Sequence, residues 1–137
     1  MRTPWFSLGS ALLAVAVAAG ALGAHLLRGL LDAPARGLWE TAVRYLFVGG
    51  FGLVATGLGA QVAPGGPWRR VGVALASGTV IFAVTVAALA LGGPRWLGAV
   101  TPAGGLLLIG GFVAMAAAGF RRGRSSLGRS TRSPPRC

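Results

Sequence analysis

The chain reads as an all-α integral membrane protein, a four-helix bundle with short loops and a disordered basic C-terminal tail. Three observations lead there. Of its 137 residues 54% are hydrophobic, and the mean hydropathy is +0.71. Only 11% are charged, less than half the roughly 25% of a soluble domain, so a water-soluble globule of this size would lack a polar cover. Four apolar runs, each about as long as the roughly 20 residues that cross hydrocarbon, alternate with short segments rich in Pro, Gly and Arg. The 24 glycines follow no G-X-Y period, which excludes collagen, and fall mostly within the apolar runs, where small residues let helices pack closely in lipid.

The first span is predicted at 6–24. A secretory signal peptide is the rival reading, with Arg2 as its basic start and Ala21 and Gly23 as the small residues of a cleavage site. The apolar run exceeds the roughly 7–15 residues of a signal core, which favours a retained helix. Ser10, Ala14 and Ala18 recur every fourth residue and form a stripe that a neighbouring helix could approach.

The stretch from His25 to Tyr45 is the polar connector. It holds the only histidine, both acids (Asp32 and Glu40) and the only tyrosine. Leu26, Leu27, Leu30 and Leu31 have helical spacing, and Arg28 and Asp32 stand i,i+4. This predicts a short amphipathic helix at the interface, ended by Pro34, with Gly37 marking a turn. The second span is predicted at 39–61. Trp39 suits the membrane–water interface, with its N–H kept wet. Glu40 and Arg44, acid first, form an i,i+4 pair that either snorkels to the headgroups or faces the bundle interior.

A tight turn, VAPGGPWRR (62–70), leads to the third span at 71–92, where Ser77, Thr79 and Thr85 can bond their own helix backbone. Gly93, Pro94 and Arg95 make the next turn. The fourth span is predicted at 96–120 and has two possible starts. Either Thr101 caps a helix that opens on Pro102, or the helix begins near Trp96 and Pro102 kinks it. Residues 121–137 have no hydrophobic period, and their Arg, Ser and Pro content reads as disorder. The tail arginines Arg121, Arg122, Arg124, Arg129, Arg132 and Arg136 either contact anionic headgroups or serve only as an orientation signal. With no aromatic residue in the tail, nucleic acid is not an expected partner.

Four spans put both termini on one side. Arg2, Arg69, Arg70 and the six tail arginines lie there; Arg28, Arg36, Arg44 and Arg95 lie on the other. The positive-inside rule then predicts cytoplasmic termini in a cell membrane. His25, Asp32, Glu40, Arg44, Tyr45, Arg95, Trp96 and Thr101 all approach the opposite, extracytoplasmic face, and any site is expected among them. His25 is the residue type whose charge changes nearest neutral pH, with Glu40 or Asp32 as a possible partner.

Three segments, GALGAHLL (20–27), WETAVRY (39–45) and RWLGAVTPAGG (95–105), resemble in order and spacing the domain-of-unknown-function 423 family, the transmembrane protein 256-like small membrane proteins. The resemblance covers about 8–120 and implies four helices with the first retained. It implies no reaction, cofactor or substrate. Where such proteins commonly carry Tyr-Gln-x-x-His in the second span, this chain has Tyr45, Leu46 and Gly49, and a common Ser-Leu-Tyr in the third is Thr85-Val86-Ala87. A polar site inside the bundle is thinned accordingly.

Cys137 is the only cysteine, so no intrachain disulfide can form, and at the last position it is not a prenylation box. One histidine and one terminal cysteine do not supply the usual zinc ligands. The expectation is a non-enzymatic protein with no cofactor, packing against another membrane protein or a second copy of itself. The alternative is a small proton-linked carrier built on His25, Glu40 and Arg44.

Overall fold

The computed structural model describes residues 4–130, with side chains through Phe120. Its elements are α1 (Trp5–His25), a single 3-10 turn (Leu27–Gly29), α2 (Ala33–Val62), α3 (Trp68–Ala90) and α4 (Leu97–Ser130). Each of the four α-helices is long and apolar enough to cross a membrane. They pack in chain order: α1 on α2, α2 on α3, α3 on α4, with only slight contact between α2 and α4. The two middle helices are therefore the most enclosed, and α1 and α4 form the flanks.

The core is small. Leu53, Val71, Leu75 and Leu108 are buried together, and Trp5, Tyr45, Phe82 and Phe112 pack around them. Glycine sets how closely the helices approach. A Cβ on Gly9 would lie 2.7 Å from both the Gly50 carbonyl oxygen and the Val54 nitrogen, so α1 meets α2 backbone to backbone. A Cβ on Gly104 would lie 2.7 Å from the Phe82 nitrogen, and one on Gly78 would lie 2.9 Å from the Gly104 carbonyl oxygen. The same constraint thus repeats between α3 and α4. Without water in the bilayer there is little hydrophobic drive between helices, and close packing supplies the attraction instead.

Hydroxyls of α2 and α3 are tied down. Thr56 donates to Gly52 O (2.8 Å), Ser77 to Val73 O (2.7 Å), Thr79 to Leu75 O (2.6 Å) and Thr85 to Ile81 O (2.7 Å). A hydroxyl bonded to its own helix leaves no unpaired polar group in hydrocarbon.

The connections differ from expectation in three places. Pro34 does not end a helix; it sits in the first turn of α2, and Asp32 is the N-cap, its carboxylate accepting from Ala35 N–H at 2.9 Å. Proline fits there because its missing N–H would have no helical partner anyway. The interfacial helix expected before it shrinks to one 3-10 turn, and Gly37 lies within α2 rather than in a turn. Second, α4 starts at Leu97 and Pro102 lies inside it, which decides between the two starts. Third, the tail expected to be disordered from 121 is helical in its backbone through Ser130. Arginine is a good helix former, and the first proline after Phe120 is Pro134. Arg132, Arg136 and Cys137 lie outside the described residues.

The turn after α3 needs glycine. Gly92 has φ +84°, its N–H bonds Leu89 O (3.1 Å), and Gly93 N–H bonds Ala88 O (2.8 Å). This is the Schellman pattern, in which a left-handed residue lets the last carbonyls be satisfied. At the other end of the bundle, Trp68 Nε1 donates to Ala63 O (2.7 Å), just past the end of α2.

Gly104→Val should lower stability by about 1–3 kcal/mol through overpacking against the α3 backbone. Gly110→Ala, where a Cβ meets nothing within 4 Å, should leave it unchanged or slightly raised. Thermal unfolding of the detergent-solubilised protein, followed by circular dichroism, measures both.

Candidate functional site

The connectors 26–32 and 91–96 lie at the same end of the bundle, so the eight residues singled out in the sequence do approach one face. The structure gathers only two of them into a common space. A cavity of about 600 Å³ opens between α1 and α2, and Glu40 and Arg44 line it together with Arg28 and Arg36. Gly20, Trp39, Val43 and Phe47 supply its apolar wall.

The helix that begins at Ala33 explains the grouping. Arg36, Glu40 and Arg44 stand one turn apart on α2 and share a face. Arg28, in the 3-10 turn, reaches the same space from the connector. Arg36 is half-buried, and its Nε is enclosed with no hydrogen-bond partner among the described residues. Neither Arg28 nor Arg36 is among the site residues expected from the sequence. The available signal was Asp32 followed by Pro34, an N-cap with proline in the first turn. Read that way, it extends the second helix back far enough to align Arg36 with Glu40 and Arg44.

The other six candidates stand elsewhere. His25 ends α1, is exposed and does not line the cavity. Asp32 is occupied as the N-cap of α2. Tyr45 turns to the opposite side of α2, where its ring stacks on Phe82 with centroids 4.0 Å apart. Arg95 and Trp96 are exposed in the α3–α4 connector. Thr101 joins α4 to α3: its hydroxyl donates to that of Thr85 at 2.9 Å, since Thr85 gives its own proton to Ile81 O. Gly49, at the position where the resemblance leads one to expect histidine, is buried, and a Cβ there would run into the Thr79 side chain. Close packing of α2 on α3 occupies the space that a polar residue would need. Among the described residues no group of three or more His, Cys, Asp or Glu could hold a metal ion.

Trp39 holds the cavity's two helices together. Its Nε1 donates to Ala19 O across the α1–α2 interface at 3.0 Å, where the sequence had placed this N–H in water. The ring lies over Gly23, where a Cβ would come within 2.6 Å of Nε1. Trp39→Phe, which keeps most of the ring but loses the donor, should cost about 0.5–1.5 kcal/mol. Unfolding in mixed micelles of increasing denaturing-detergent fraction measures this loss.

A profile of the family described as "Protein of unknown function (DUF423)" matches residues 19–105. A UPF0382 membrane protein of Staphylococcus haemolyticus is 36% identical over 115 residues, covering 83% of this chain and 93% of that protein. UPF0382 membrane proteins of Staphylococcus saprophyticus (37% over 108 residues; 78% and 88% covered) and Staphylococcus epidermidis (38% over 102 residues; 74% and 82% covered) are also similar. No solved structure matches the chain. With four membrane-length helices in place and relatives that align along most of their own length, the chain belongs to the DUF423 family of membrane proteins of unknown function.

Proposed function

We propose that this protein is a non-enzymatic packing partner within the cell membrane, associating through α1 with another membrane protein or with a second copy of itself. The observation that carries the reading is the position of Ser10, Ala14 and Ala18. All three are exposed on the outer face of α1. The helix that does pack on α1 uses a different face, through Gly9, Leu13 and the fully buried Ala16. The stripe of small residues is thus left over after the chain's own packing is complete, and small residues at this spacing let a further helix approach closely. Ser10 already donates to Phe6 O (2.9 Å), so the stripe has no unpaired hydroxyl and suits an apolar contact.

The alternative of a proton-linked carrier has less support. Carriers place ionisable groups near the bilayer midplane, whereas residues 45–68 and 71–94 contain none apart from Tyr45, which is packed on Phe82. Cytoplasmic termini complete the proposal, on the strength of nine arginines at the end that carries both termini against four at the other.

Ala14→Leu tests the contact. Its side chain points outward, so the variant should fold normally, yet it should abolish a cross-linked complex formed by the native protein in membranes. A complex that survives the substitution, or the absence of any complex with the native chain, refutes the proposal. Cys137, the only thiol, tests the orientation. A membrane-impermeant maleimide should label it only after lysis, and labelling of intact cells reverses the topology.

A further inference from the structure

We propose that the cavity between α1 and α2 binds the phosphate headgroup of an anionic phospholipid. The site is separate from residues 121–130, which continue α4 from the other end of the bundle, and does not depend on whether the outer face of α1 has a partner.

Charge is the first argument. Arg28, Arg36 and Arg44 face a single carboxylate, Glu40, in a space of about 600 Å³, within the roughly 300–1,000 Å³ range of small-ligand sites. Guanidinium groups match phosphate oxygens in geometry and carry their charge at any physiological pH. Glu40 stands one turn from both Arg36 and Arg44 and offsets part of their charge, which leaves a positive excess suited to a singly charged phosphodiester. The second argument is Arg36 Nε, a buried donor with no partner among the described residues. A buried N–H of a charged group is costly to leave unpaired, and a phosphate oxygen in the cavity would accept from it.

The third argument distinguishes a lipid from a free anion. The cavity sets its charged residues, Arg28, Arg36, Glu40 and Arg44, directly beside apolar ones, Trp39, Val43 and Phe47. That pairing suits a headgroup whose acyl chains begin at the phosphate. A free phosphate would leave the apolar wall unused.

The full chain, purified in maltoside detergent, allows a direct test by native mass spectrometry. One dioleoylphosphatidylglycerol should be retained with at least about tenfold preference over dioleoylphosphatidylcholine. Arg36→Gln and Arg44→Gln should each weaken retention by about tenfold, the usual scale for losing a charge-assisted contact. Glu40→Gln should strengthen it. Arg70→Gln, the same charge change at the opposite end of the bundle, should leave it unchanged, and size-exclusion elution confirms that each variant is folded. Equal retention of the two lipids overturns the proposal, as does an Arg70→Gln loss equal to that of Arg36→Gln. Displacement by sn-glycerol 3-phosphate at the concentration at which the lipid itself competes overturns the lipid as occupant in favour of a free anion.

Discussion

Backbone-to-backbone approach at glycine governs this fold. In hydrocarbon a helix gains little by burying leucine against leucine, because lipid is an equally apolar neighbour. What distinguishes a helix neighbour from lipid is shape. Gly9 against Gly50 and Gly78 against Gly104 provide surfaces that no acyl chain would fill as well. Between them, Gly49 accommodates Thr79 in the α2–α3 interface. Chain order then becomes packing order, and the enclosed hydroxyls bond their own helices because close approach leaves no room for water.

Much of this was legible in the sequence, and the exceptions have physical causes. Hydropathy and the spacing of apolar runs gave all four spans, since length against bilayer thickness is a strong constraint. The threonine and serine bonds followed from the lack of other partners. Pro34 is ambiguous in the sequence because proline both starts and ends helices, and only the nearby N-cap, Asp32, distinguishes the two. Tyr45 and Thr101 were grouped with the polar face by sequence position. The structure turns both inward, because helical rotation decides which way a side chain points and hydropathy carries little of that information when a helix is apolar all round. Trp39 was placed in water on residue-type preference, yet the nearby Ala19 carbonyl accepts its N–H.

The candidate site carries the same lesson. The sequence points to histidine, both acids and tyrosine together with Arg44, Arg95, Trp96 and Thr101. Of these the structure gathers Glu40 and Arg44, and adds Arg28 and Arg36. Arg36, Glu40 and Arg44 form a ladder only because α2 starts as early as Ala33, and Arg28 meets them only because the connector tightens into a 3-10 turn. The cavity thus results from one capping residue and one short turn.

Helix α2 has 30 residues. At 1.5 Å per residue it measures about 45 Å, against roughly 30 Å of hydrocarbon. It must lean, or lift its opening turns clear of the oily layer, whereas the 21 residues of α1 come to about 32 Å, close to that thickness. Arg36 and Arg44 are two turns apart along that excess length, so bilayer thickness sets which of them is submerged. A thicker membrane draws Arg44 downward and a thinner one raises it, at fractions of a kcal/mol per ångström. Local bilayer depth is thereby written into the hydration of one arginine ladder.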